Sequence, residues 1–214
     1  MDTRIREAIR YLGYGRQAID EPTLKLIHES FQELDEIAEV KFVYRIFELS
    51  FLDIENLKVN NLNIHSKNLV KNIYGCRSCI IFGITLGAAV DRVLQKYERI
   101  QIAKAVVFQA CAAAYLEEQC NCLQSKWAKE FEKEGKFLRP RFSPGYGDFS
   151  ISYQKNILEM LEASKQIGLT MTDSFMMTPT KSVTAIIGIS TTNEKCHKEG
   201  CEVCTKTDCI YRRS

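Results

Sequence analysis

Ser78-Cys79-Ile80-Ile81-Phe82-Gly83-Ile84-Thr85 decides the fold class. Cys79, Ile80, Ile81, Phe82 and Ile84 follow one another almost without a polar break. A strand of this kind has no face left for solvent and must be covered on both sides. Gly87 ends it. From Ala88 to Glu134 there is neither proline nor glycine, and the composition favours helix. The spacing predicts two helices there, with a break near Tyr97 to Ile100. Ala103, Val107, Ala110, Ala114 and Tyr115 fall on one face, where small side chains let neighbouring backbones approach. A buried strand beside long helices points to an α+β protein.

Upstream, residues 2 to 49 read mainly as helices. Ile5, Ile9 and Leu12 have helical spacing, and Gly13 and Gly15 break that run. Asp20-Glu21-Pro22 starts a second helix, since proline is tolerated in a first turn and acidic groups suit the positive end of the dipole. Leu24, Ile27, Phe31, Leu34 and Ile37 mark its apolar face. Val40 to Leu57 mixes β-branched and aromatic residues, as strands do, and Asn56 to Asn63 reads as polar and turn-rich. Downstream, Phe137 to Ser152 is irregular. A helix comes next, with Ile157, Leu158 and Leu161 on its core face and Gly168 as its stop. Strands are expected over Thr172 to Thr178 and Ser182 to Ser190, joined by Pro179-Thr180-Lys181. The expected organisation is a core of residues 1–191, with an N-terminal helical part (1–75) and a 76–191 part carrying the ligand loop. Residues 192–214 form a cysteine-rich tail.

The 214 residues carry 29 basic and 27 acidic side chains, a net charge of +2. That balance argues against nucleic acid or an anionic membrane as the main partner. The most apolar stretch, Cys79 to Val90, is far shorter than the about 20 residues of a membrane span. Met1-Asp2-Thr3-Arg4 opens no signal-peptide apolar region. The expectation is a soluble, cytoplasmic chain with no membrane partner. In that setting, disulfides are not expected among the nine cysteines. Cys76, Cys79, Cys111, Cys120 and Cys122 lie in apolar or helical segments. Cys76 and Cys79 read as core packing, because a free cysteine behaves as a small hydrophobe. His28 and His65 lack metal spacing and read as structural or solvated.

Arg141-Phe142-Ser143-Pro144-Gly145-Tyr146-Gly147-Asp148 is the stretch with ligand chemistry. Arg141 can grip a carboxylate through two parallel hydrogen bonds. Gly145 and Gly147 let backbone approach a ligand. Tyr146 offers an aromatic face to a sulfonium or an adenine, and a hydroxyl. A small zwitterionic ligand fits that set; a surface turn with a solvated arginine is the simpler alternative.

The order of motifs over about 50 residues, Arg139 to Ile189, resembles the activation domain of cobalamin-dependent methionine synthase. The matching elements are Arg141, Gly145-Tyr146, Gly168, Thr172-Asp173-Ser174-Phe175, Met177-Thr178-Pro179 and Ser182-Val183. Cys79 to Lys133 fits more loosely. Tyr11-Leu12-Gly13-Tyr14 looks like small stand-alone members. The resemblance implies an α+β fold with a bent antiparallel sheet flanked by long helices. It also implies that Arg141, Ser143 (by its backbone), Gly145 and Tyr146 bind S-adenosylmethionine. Acidic contacts from a preceding helix are part of the family pattern, and Glu117 and Glu118 lie in that helix; Ala110 is another position there that can correspond.

The implied task is reductive reactivation of cobalamin, using a methyl group from S-adenosylmethionine and one electron from a flavodoxin-like or ferredoxin-like donor. The chain is too short to hold the folate and homocysteine barrels of a methionine synthase, and it lacks an Asp-x-His-x-x-Gly cobalamin loop. Cobalamin is therefore expected on a partner, either a cobalamin-binding methionine synthase subunit or another corrinoid protein. No catalytic triad or acid–base pair stands out. A methyl transfer from a sulfonium needs none, since the task is placement.

Cys196, Cys201, Cys204 and Cys209 have the spacing C-x4-C-x2-C-x4-C. Four thiolates at that spacing can hold zinc or an iron–sulfur cluster; free or redox-active thiols are the other reading. Two alternatives to the reactivation role remain. One is an electron-transfer or redox-sensing protein acting through this tail. The other is a docking subunit of a corrinoid protein that binds no small ligand.

Overall fold

The computed structural model describes residues 2–14 and 18–193. The elements in chain order are α1 (Thr3–Tyr11), α2 (Glu21–Ile37), β1 (Lys41–Phe51), β2 (Asn56–Val59), β3 (Leu62–His65), α3 (Lys67–Asn72), β4 (Ser78–Thr85), α4 (Ala88–Ile100), α5 (Ile102–Glu132), β5 (Phe137–Leu138), α6 (Tyr153–Leu161), α7 (Ala163–Ile167), β6 (Thr170–Met171), β7 (Met177–Thr178) and β8 (Ser182–Ser190). They fall into two compact units. Among the described residues, one is built from those up to Val40 and Leu86–Asn121, the other from Lys41–Thr85 and those from Cys122 to Asn193.

In the first unit, α2 begins as its sequence predicts. The Asp20 carboxylate accepts from the Thr23 amide at 2.7 Å and Pro22 sits in the first turn. Ile27, Phe31 and Leu34 are buried. On α5, Val107, Ala110, Ala114 and Tyr115 are buried, whereas Ala103 is exposed. The break between α4 and α5 falls at Gln101, one residue past the expected site.

The second unit is a six-stranded sheet in the order β3-β2-β1-β4-β8-β5, antiparallel at every pairing. β4 lies between β1 and β8: Phe82 pairs with Tyr44 on one side and Ala185 on the other. Both faces of β4 are covered, which explains its unbroken apolar run. Cys79 and Ile81 join a cluster with Ile186, Ile157, Leu161 and Ile73. On the opposite face the Phe82 ring meets Trp127 of α5 edge-on at 5.4 Å. Each such fully buried side chain contributes about 1.5–3 kcal/mol relative to exposure.

Two sequence expectations are corrected. Asn56 to Asn63 is not a loop but most of a hairpin, β2 and β3, with Leu57, Val59 and Ile64 buried and Asn60 in the left-handed region (φ 52°). Thr172 to Thr178 is not a continuous strand. Only Met177 and Thr178 pair, with β6, in a two-stranded ribbon outside the main sheet. Its turn is closed by the Thr172 amide donating to the Met176 carbonyl and the Phe175 amide donating to the Thr172 carbonyl. No helix among the described residues is long and apolar enough to cross a membrane.

Candidate functional site

Beyond β5, the chain stays beside β8. The Arg139 amide donates to the Gly188 carbonyl at 2.8 Å, and Phe142 and Ile186 exchange two backbone bonds at 2.9 Å. This edge carries the chain directly into the loop singled out in the sequence. There the Tyr146 amide donates to the Ser143 carbonyl at 3.2 Å. The Phe149 amide donates to the Tyr146 carbonyl at 3.0 Å, and the Gly145 amide to the Phe149 carbonyl at 2.7 Å. Gly145 (φ 91°) and Gly147 (φ 56°) take backbone conformations that other residues rarely adopt.

Two anchors fix this turn. Phe149 is 1% exposed, between the rings of Phe142 (centroids 6.3 Å) and Tyr153 (5.5 Å). Asp148 docks on the first turn of α3. Its carboxylate accepts from the Ser66 hydroxyl at 2.5 Å and from the amides of Lys67 at 2.9 Å and Asn68 at 3.1 Å. Burial alone would raise the Asp148 pKa. The Ser66 hydroxyl and the Asn68 and Lys67 amides outweigh it, so the carboxyl sits below its ordinary value.

Arg141 is half-buried, and one guanidinium nitrogen, Nη1, donates to Oε1 of Gln124 on α5 at 3.1 Å. The Gln124 amide nitrogen reaches the Arg139 carbonyl at 3.5 Å, so one side chain spans both arginines. Arg139 is buried and donates from Nη2 to the Ser190 hydroxyl at 3.3 Å. Tyr146 is 68% exposed at the loop tip. Neither its hydroxyl nor the Ser143 amide is engaged within the protein among the described residues. Arg141, Ser143, Gly145 and Tyr146 thus lie on one pinned loop, with a cation, an open amide and an aromatic ring. Such a set can hold a carboxylate and a flat or sulfonium-bearing group.

Glu118 and Glu117 are engaged in the first unit. Glu118 pairs with the Arg4 guanidinium at 3.0 Å, which also holds Asp35 and lies over the Phe31 and Tyr115 rings. Tyr11 has its pKa raised by burial and by the charge of Glu117. Sequence reading missed Gln124 and the role of Asp148. An open cavity of about 700 Å³ also lies between α6–α7 and the β6–β7 ribbon. It is lined by Leu158, Leu169, Met171 and Phe175 among others, and Arg141, Ser143, Gly145 and Tyr146 are not among its lining residues. The buried cysteines behave as core: burial pushes the Cys79 and Cys111 thiols up to about 12, with the neighbouring Cys76 adding to the effect at Cys79. Cys196, Cys201, Cys204 and Cys209 lie outside the described residues.

A family model described as the activation domain of vitamin B12 dependent methionine synthase matches residues 77–201, more than half of the sequence. The chain belongs to that family. Among solved structures, the fold is similar to the crystal structure of the MetH reactivation domain bound to AdoHcy. The TM-score is 0.62 at 17% identity, covering 89% of this chain and 77% of that chain. No curated protein matches the sequence. The activation-domain resemblance read over Arg139 to Ile189 is thereby borne out, and the α+β sheet and helices are those of the reactivation-domain fold.

Proposed function

We propose that this activation-domain chain binds S-adenosylmethionine on the Arg141–Tyr146 loop. In doing so it serves the reductive reactivation of cobalamin carried by a separate methionine synthase or related corrinoid methyltransferase. The observation that carries the reading is the Arg141 guanidinium, directed by Gln124 beside a loop pinned at both ends, in a member of this family. AdoHcy in the similar reactivation domain, the demethylated form of this ligand, supports it.

The sulfonium of the ligand would supply an already activated methyl group, the partner's cobalamin would receive it, and a flavodoxin-like or ferredoxin-like donor would supply the one electron that reactivation needs. The chain's own residues bind and orient. Arg141 takes the ligand carboxylate, the Ser143 amide and the Gly145 backbone meet its polar edge, and the Tyr146 ring covers the cationic or adenine portion. No residue has to move a proton, which agrees with the lack of an acid–base pair in the sequence. Zinc or an iron–sulfur cluster at Cys196, Cys201, Cys204 and Cys209 would be a separate feature of the tail.

Calorimetric titration with S-adenosylmethionine tests the site. Loss of a charge-assisted contact worth about 1.5–3 kcal/mol weakens binding by about 10- to 150-fold in Arg141→Ala. Saturable binding that the substitution leaves unchanged would remove the loop from the site.

A further inference from the structure

The ligand loop owes few contacts to its own tip. Gly145, Tyr146 and Gly147 are exposed, and within the loop they are tied only by turn hydrogen bonds. Asp148, just past the tip, is held far more firmly. Both of its carboxylate oxygens are engaged: Oδ1 accepts from the Ser66 hydroxyl and the Asn68 amide, and Oδ2 from the Lys67 amide at 2.9 Å and the Asn68 amide at 3.3 Å. The first amides of a helix have no partner of their own, and a carboxylate is the acceptor they favour. The helix already has its cap, because Ser66 Oγ accepts from the Leu69 amide at 3.1 Å while giving its proton to Asp148. Next door, Gly147 packs against the Asn68 side chain so closely that a Cβ would lie 2.5 Å from its Nδ2.

We propose that Asp148 is a positioning residue: docked on the first turn of α3, it holds Gly145 and Tyr146 in the ligand-ready conformation before any ligand arrives. This rests on the reading that the loop takes S-adenosylmethionine, and deepens it. Holding the loop in advance removes an ordering cost that binding would otherwise bear. A residue acting this way changes affinity without touching the ligand.

Two readouts separate the parts. The first needs no ligand: amide hydrogen exchange in the full chain, comparing wild type with Asp148→Ala and Asp148→Asn. Exchange at Gly145, Tyr146 and Phe149 is expected to accelerate about tenfold or more in Asp148→Ala, with Asp148→Asn between, since an amide oxygen keeps one acceptor. The second is calorimetric titration with S-adenosylmethionine, where Asp148→Ala weakens binding about tenfold. Ile157→Val, a core change on α6, serves as a stability control. It lowers the melting temperature and leaves the affinity as in wild type. Unchanged loop exchange in Asp148→Ala overturns the proposal whatever the ligand does. So does an affinity loss in Ile157→Val matching that of Asp148→Ala, which would make the effect one of general stability. Wild type that shows the exchange pattern yet binds no S-adenosylmethionine would sink the ligand reading instead, and with it the claim that the loop is held ready for that ligand.

Discussion

Gly188→Ala puts the joint between the sheet and the Arg141–Asp148 loop to a quantitative test. Gly188 lies on β8 opposite Cys79, and its carbonyl accepts the Arg139 amide that starts the approach to the loop. A Cβ there would sit 2.8 Å from Cys76 Sγ and 2.9 Å from both Cβ and Cγ2 of Ile73. Comfortable carbon contacts are about 3.5–4.0 Å. The overlap therefore approaches an ångström on two walls at once. Ile73 is 0% and Cys76 3% exposed, so neither has free space to enter. Ile73 Cβ is fixed to its backbone and cannot swing away. Overpacking of a tight core costs about 1–3 kcal/mol, and a clash with an immovable atom belongs at the upper end. With a urea slope of about 2 kcal/mol per molar, the unfolding midpoint falls by about 1.5 M. Trp127, the chain's single tryptophan, is buried against Phe82 and reports this unit by fluorescence. In a Cys76→Ala background one of the three close contacts disappears, and about a third of the cost should be recovered. A midpoint shift below about 0.3 M would refute the packing argument. Full recovery with Cys76→Ala would show that Ile73 is not the obstacle.

Thiol chemistry and acid stability depend on the same geometry. In the native chain at mildly alkaline pH, iodoacetamide should modify exposed Cys122 well before Cys76, Cys79, Cys111 and Cys120, which are buried. With Cys79 and Cys111 pushed up to about 12, equal labelling of Cys79 and Cys122 by peptide mass spectrometry would contradict that burial. The lowered Asp148 pKa means that its contribution is complete above the unfolded carboxylate value of about 3.9 and fades as pH falls through the folded one. Thermal melts from about pH 5 down to about pH 2 should therefore fall more steeply for wild type than for Asp148→Asn, and parallel curves would count against the α3 contact.

How legible this was differs element by element. β4 could be read because burial on both faces leaves a continuous apolar run, a signal carried by composition alone. The hairpin of β2 and β3 was hidden behind its asparagines, although Leu57, Val59, Leu62 and Ile64 alternate with polar residues around Asn60-Asn61, as a half-buried hairpin requires. Thr172 to Thr178 looked like a strand because threonine, phenylalanine and methionine suit one. Thr172 instead turns its hydroxyl to Ser174 and the Met176 amide, and local side-chain bonding wins over sheet pairing. The candidate loop, Arg141 to Asp148, stood out by its residue types, but its supports did not. Gln124 lies 17 residues before Arg141, and α3 lies about 80 residues before Asp148. Neither distance leaves a local pattern.

The choice of side chain at position 124 carries a consequence for the proposed ligand. An arginine meant to receive a carboxylate must be oriented without having its charge neutralised by the group that orients it. A glutamine meets both needs: its carbonyl oxygen fixes the direction of the Arg141 Nη1 donor, and it brings no charge of its own. A glutamate at the same place would make a shorter and stronger contact with Arg141 and compete with any incoming carboxylate. The loop shows a similar division. Its one carboxylate, Asp148, is turned onto the amides of α3, so the charge that organises the turn is directed at the protein.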